Sequence, residues 1–96
     1  MKVFNWFSVS ILPRGIDIQV IDLEPVQATA IAERRLGSVE SFVDDRSTAD
    51  AIGLVLGTPI RVCTDRSVRL SPGEEVLLAL PRLGGLKWHL ITVAGR

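Results

Sequence analysis

The chain opens on a short apolar and aromatic run, Lys2 to Phe7, which breaks at Ser8-Val9-Ser10. A run of that kind without polar alternation predicts a strand covered on both faces. Pro13-Arg14-Gly15 marks a turn. Beyond it Ile16, Ile18, Val20 and Asp22 alternate with Asp17, Gln19 and Ile21, a period of two that predicts a second strand. Glu24-Pro25 then opens an Ala-rich stretch to Arg35, a predicted helix with proline in a tolerated first-turn position and Gly37 as its terminator. Its apolar stripe, Val26, Ala30 and Ile31, is thin.

A clearer helix is predicted from Thr48 to Leu56, where Ala49, Ile52 and Leu56 share one face with Val55 beside them. Ser47 with Asp50 three residues later reads as its capping box, and Gly57 before Pro59 ends it. Strand patterns return at Ile60 to Cys63, Val68 to Leu70, Val76 to Leu80 and Lys87 to Val93. Ser71-Pro72-Gly73-Glu74 has the residues of a type II turn, and Arg82-Leu83-Gly84-Gly85 reads as a loop. The order is strand, strand, helix, helix and then three or four strands. That predicts an α+β fold, a mixed β-sheet of about five to six strands covered by two helices, with an edge or face suited to a second copy.

Length sharpens this picture. Ninety-six residues and 10.5 kDa make one domain, 1–96. A chain this short buries only about two-thirds of its unfolded surface, which favours association. Eleven basic residues balance eleven acidic ones, so no overall field recruits nucleic acid or a membrane. Only Lys2 and Lys87 are lysines, and the arginine bias suits planar contacts with phosphate or carboxylate. The lone Cys63 forms no internal disulfide, and one histidine leaves no Cys/His zinc set. With no leader segment and no long apolar run, the expectation is a cytoplasmic protein with no metal and no cofactor.

No self-contained catalytic signature is present, so chemistry has to come from scattered polar groups. Asn5, Ser8 and Ser10 sit where the first strand ends, a place where amides and small hydroxyls hold a phosphate or a ribose, or else satisfy their own turn. Asp44-Asp45-Arg46 precedes the second helix, whose free amides favour an anion that the aspartates themselves already supply. Arg61, Arg66 and Arg69 have the spacing of a solvated strand face. Arg82 adjoins a double-glycine loop, and His89 alternates with Trp88 and Leu90 in the last strand. No helix carries the basic face that direct DNA binding needs.

Several of these segments together resemble one family. Asn5-Trp6-Phe7-Ser8-Val9-Ser10-Ile11-Leu12 is similar to the N-A-F-S-L-S-M-L opening of the small viral type III anti-CRISPR ring nucleases. Ser41-Phe42-Val43-Asp44-Asp45-Arg46-Ser47-Thr48-Ala49 resembles their S-x-[IV]-G-H-x-[ST]-T-A segment, followed as there by a helix closing in leucine-glycine. Val68 to Glu74 looks like their strand and turn, and Leu80-Pro81-Arg82-Leu83 falls where they carry an arginine-leucine loop. The resemblance implies a homodimer that binds cyclic oligoadenylate across its two-fold axis. It also implies that the messenger is linearised without metal, which silences type III CRISPR effectors. On that basis Asn5, Phe7, Ser8, Ser10, Arg14 and Ser47 are expected to hold the ligand, with Asp45, Arg46, Arg82 and His89 at the chemistry.

The departures fall on the chemistry. The family's catalytic histidine corresponds to Asp45, and a glutamate of its arginine loop corresponds to Gly84 or Gly85. The helix that precedes the family's last strand is missing. An ordinary aspartate is a poor general acid at neutral pH. Three readings follow: Arg46 and Arg82 catalyse mainly by positioning and charge, His89 or Arg14 replaces the lost group, or the protein binds the ring as a sponge or sensor without cleaving it. A protein–protein module using an exposed sheet is a further alternative.

Overall fold

The computed structural model describes residues 1–35 and 39–94. Along them run β1 (Lys2–Phe4), β2 (Ile18–Leu23), α1 (Pro25–Glu33), β3 (Glu40–Ser41), α2 (Arg46–Leu56), β4 (Glu75–Arg82) and β5 (Gly85–Val93), with a 3-10 turn at Val9–Ile11. The five strands form one mixed sheet in the order β2-β5-β4-β1-β3. β1 is parallel to both β3 and β4, while β5 is antiparallel to β4 and β2. Four strands therefore point one way and β5 alone returns.

Alternation along the strands sorts the core into two layers. Val3, Leu77, Ala79 and Trp88 face the helices and meet Ala28, Ala32, Ala49, Ile52 and Leu56. Phe4, Val76, Leu78, Ile91 and Val93 face the other way. Among the described residues no α-helix covers that second layer. It is closed by irregular chain carrying Ile11 and Leu70, tied together where the Leu70 N–H donates to the Ile11 carbonyl at 2.7 Å. Phe4 stacks on Phe42 at 5.0 Å and meets Trp6 edge-on at 5.1 Å.

The α+β class and the two helices agree with the sequence pattern, and several details differ. Pairing of β1 stops at Phe4, because Trp6 and Phe7 turn away to close the second layer. The segments Ile60–Cys63 and Val68–Leu70 are not strands. Their one ladder contact is a bridge between Val43 and Val62; Cys63, Val68 and Leu70 serve as cover for the second layer, and Ile60 packs into the helix-side core. Short apolar runs carry the same pattern in both roles. β4 and β5 extend farther than expected: Arg82 pairs with Gly85 across a two-residue turn at Leu83-Gly84, so the predicted loop is the tip of a hairpin. The two-residue β3 has no periodicity to announce it.

α1 buries Ala28 and Ala32, whereas Val26 and Ala30 of the predicted stripe are exposed. Close approach explains this, since Thr29 donates its hydroxyl to the Val55 carbonyl of α2 at 2.7 Å. Only small residues fit between elements that near. Gln27 accepts from the Glu24 N–H at 2.8 Å, which closes the first turn of α1. The proposed terminator Gly37 lies outside the described residues. α2 buries Ala49, Ile52 and Leu56 as its stripe predicts, and Gly57 ends it in the left-handed conformation. The type II turn is also as expected, with Gly73 at φ 87° and the Glu74 N–H donating to the Ser71 carbonyl at 3.1 Å.

Glu74 clasps this turn, accepting from the Ser71 N–H and pairing with the Lys2 ammonium. Burial works against its charge, but the Lys2 hydrogen bond and the Ser71 amide outweigh it and hold the carboxyl below its ordinary 4.5. Since the folded value lies below the unfolded one, the unfolded chain takes up the proton first as pH falls. The stabilisation is present above the unfolded value and is lost as pH drops through the folded one. Asp45 and Asp65 are shifted in the same direction. The urea midpoint is expected to stay level above about pH 5 and to fall below about pH 4. Glu74→Gln should lower the neutral-pH midpoint and flatten the acid limb; an unchanged limb would contradict the clasp.

Candidate functional site

Three of the candidate residues, Asn5, Asp45 and Arg82, come at one end of the sheet, the end formed by the carboxyl ends of β1, β2, β3 and β4, where both helices also begin. Ligands in sheets with helical crossovers commonly bind outside the carboxyl ends of strands. β1 delivers Asn5 there, β3 leads into Asp44 and Asp45, and β4 ends at Arg82. The β4–β5 hairpin runs four residues past the last paired residue of β1, since Phe4 is level with Leu78.

Asp45 is the cap of α2, with extended backbone (φ −136°, ψ 130°). Its Oδ2 accepts from both the Thr48 N–H and the Thr48 hydroxyl at 2.8 Å. The expected cap, Ser47, sits instead in the first turn and is exposed. The Thr48 amide and hydroxyl hold the Asp45 carboxyl below its usual value, so at neutral pH it is an ionised acceptor with no proton to give. Asp45→Ala is expected to lower the thermal midpoint, while Asp45→Asn, which still caps, should retain most of it. Equal midpoints for the two variants would mean that the cap contributes nothing.

Beside this cap, Asn5 and Asp44 hold each other. Asn5 Nδ2 donates to Asp44 Oδ1 at 3.0 Å, and the Asp44 N–H donates to Asn5 Oδ1 at 3.2 Å. The other Asp44 oxygen pairs with Arg66, whose guanidinium lies 4.2 Å from the Trp6 ring centre. The Trp6 indole N–H in turn donates to the Phe42 carbonyl at 2.9 Å. A planar cation is thus fixed over an aromatic face at the mouth of the sheet, and it retains exposed N–H groups that an anion can reach.

Other predicted residues hold more local partners. Ser8 caps the 3-10 turn, accepting from the Ser10 N–H at 3.3 Å, and its hydroxyl lies 2.9 Å from that of Ser10. Phe7 packs at the margin of the second core layer. Arg46 lies along α2, donating to Asp50 at 3.3 Å and to the Ile60 carbonyl at 3.5 Å. It helps line an open groove of about 510 Å³ with Asp50, Gly53, Leu54, Thr58 and Ile60. Arg14 belongs to the turn that enters β2, whose first residue pairs with Val93 at the opposite end of the sheet. Arg82 is exposed at the hairpin tip, and His89 lies midway along the same hairpin beside Asp22.

Three participants were not singled out from sequence as site groups. Trp6 read as packing, Arg66 as part of a solvated basic face, and Asp22 as one polar step in a strand. Only the pairing of distant segments gives them their neighbours. Cys63 is half-buried and carries a free thiol. Among the described residues, no group of three or more His, Cys, Asp and Glu is placed to hold a metal ion.

Sheet order, two helices on one face and chain-covered second face define a small mixed α+β domain. No protein-family model matches the chain, and no curated protein matches it. The fold is similar to that of B116 of Sulfolobus turreted icosahedral virus (STIV), with a TM-score of 0.81 over 95% of this chain and 97% of that one. At 18% identity the likeness is one of fold. No helix among the described residues is long and apolar enough to cross a membrane.

Proposed function

We propose that the chain is a homodimeric, metal-independent phosphodiesterase that binds cyclic oligoadenylate and linearises it, switching off type III CRISPR signalling in the cytoplasm. The observation that carries this reading is that Asn5, Asp45 and Arg82, all within segments that resemble the ring nucleases, come at the carboxyl ends of β1, β3 and β4, which point the same way in one sheet. Arg66, fixed by Asp44 and Trp6, adds a cation there. A two-fold dimer offers the same groups to opposite halves of a rotationally symmetric ring. Balanced overall charge with local arginines suits a small anion better than a long polyanion.

The reaction is attack of a ribose 2′-hydroxyl on its adjacent phosphate. The site aligns the entering and leaving oxygens, neutralises the phosphorane and protonates the leaving 5′-oxygen. Arg82 and Arg46 are the candidates for charge neutralisation, and Asn5, Ser8 and Ser10 for the ribose and phosphate. The second reading, a sponge that sequesters the ring, is favoured by one observation: the residue at the family's histidine position, Asp45, is an ionised helix cap.

Incubation with cyclic di-, tri-, tetra- and hexa-adenylate in EDTA, followed by chromatography, tests both. Linear products over many turnovers are expected. Intact ring that co-elutes with a dimer would establish the sponge, and a monomer with neither binding nor cleavage would overturn both readings.

A further inference from the structure

His89 is the one histidine of the chain, and its surroundings give it a defined orientation. It projects from β5 on the face of the sheet away from the helices, opposite Asp22 of β2 and Leu78 of β4. Its side chain is 16% exposed. Nδ1 lies 2.8 Å from Asp22 Oδ1, and the Lys87 ammonium is 3.8 Å from the other Asp22 oxygen. Among the described residues no buried side-chain nitrogen or oxygen lacks a partner. Nε2, which has no partner, therefore reaches solvent.

We infer that His89, held by Asp22, is the proton donor to the leaving 5′-oxygen in the ring cleavage proposed above, on which this inference rests. A carboxylate on Nδ1 fixes both the ring plane and the proton on that nitrogen, which leaves Nε2 to act outward. Asp22 is a positioning residue; His89 touches the reacting atoms. By strand register, Lys87 and Arg82 lie on the same face toward the hairpin tip, one and two alternations beyond His89. That row of cations leads a phosphate toward the imidazole. His89 is level with Phe4, two strands away at about 10 Å, and Phe4 leads directly into Asn5. The charged groups facing His89 are Asp22 from β2 and Lys87 from its own strand; β4 contributes Leu78 and Leu80.

In the step, the 2′-oxygen bonds to phosphorus and releases its proton to water. The bond from phosphorus to the 5′-oxygen breaks, and that oxygen takes the proton carried on His89 Nε2. The products are a 2′,3′-cyclic phosphate and a 5′-hydroxyl, and the imidazole is reprotonated from solvent.

Single-turnover cleavage of the preferred cyclic oligoadenylate, with binding measured separately by calorimetry, tests this. His89→Gln should lower the cleavage rate by about 100- to 10,000-fold while leaving affinity within a few-fold of wild type. Added imidazole should restore part of the rate to His89→Ala. Asp22→Asn should lower the rate at unchanged affinity, and in the double variant with His89→Ala it should cost nothing further, since a positioning residue acts only through its partner. Full activity in His89→Gln, or a loss that imidazole does not rescue, would overturn the inference while leaving the nuclease reading in place. A wild-type protein that binds the ring without cutting it, or that does neither, would overturn both.

Discussion

Trp88→Ala is expected to cost about 3–5 kcal/mol of folding stability. Trp88 is 1% exposed and, among the described residues, is the one aromatic side chain of the helix-side core, whose other members include Ala28, Ala32, Ala49 and Ala79. Those alanines bring the helices close to the sheet, and the indole fills the volume that their small side chains leave. Truncation removes most of that filling at a site where backbone-to-backbone approach limits collapse. Single domains are stable by about 5–15 kcal/mol, so a large share of the total is at stake. In urea unfolding followed by far-UV circular dichroism, the midpoint should fall with the slope unchanged. A loss below about 1 kcal/mol would mean that the helix layer closes freely over the gap.

Gly53→Ala should destabilise by about 1–3 kcal/mol, against the usual sign. In an exposed helix interior the same change stabilises by about 1 kcal/mol through helix propensity. Here a Cβ built on Gly53 falls 2.9 Å from the carbonyl oxygen of Thr58. That oxygen belongs to the backbone that folds back against α2 after Gly57, where the Thr58 N–H donates to the Gly53 carbonyl at 3.3 Å. The reversal packs Ile60 into the core, so the clash is relieved only by moving chain that is pinned at both ends. Thermal melting of Gly53→Ala beside wild type reads the sign directly. A raised midpoint would show that the Thr58 segment yields at no penalty.

The first effect depends on segments far apart in the chain and the second on a reversal only five residues away, and the same split between distant and local contacts divides what was legible. α2 was readable because its determinants are local: Ala49, Ile52 and Leu56 at helical spacing, with Gly57 to stop it. Its cap was misassigned to Ser47, since Asp45 and Ser47 are both good capping residues and only backbone geometry separates them. The face of α1 was misread because Val26 is more apolar than Ala28, yet the space against α2 admits only the smaller side chain. The segments at 60–63 and 68–70 look like strands because a cover segment needs the same apolar residues as a strand.

For the candidate site, Asn5, Ser8, Asp45 and Arg82 stood out as polar groups at the ends of predicted elements. Trp6, Arg66 and Asp22 did not, because each owes its place to partners more than twenty residues away: Phe42 for Trp6, Asp44 and Trp6 for Arg66, and His89 for Asp22. Arg66 carried a signal only as one of three arginines with the spacing of a solvated strand face.

By itself, then, the order of apolar and polar residues determined the α+β class, the existence of both helices and the type II turn at Pro72-Gly73. Each of these follows from patterns within a few residues of one another. The tertiary structure alone decided that β5 sits between β2 and β4, that bare chain closes the second face, that Asp45 is an ionised cap and that His89 is aimed by Asp22. Those outcomes depend on which distant surfaces exclude water together, a property of the packed whole that no local window contains.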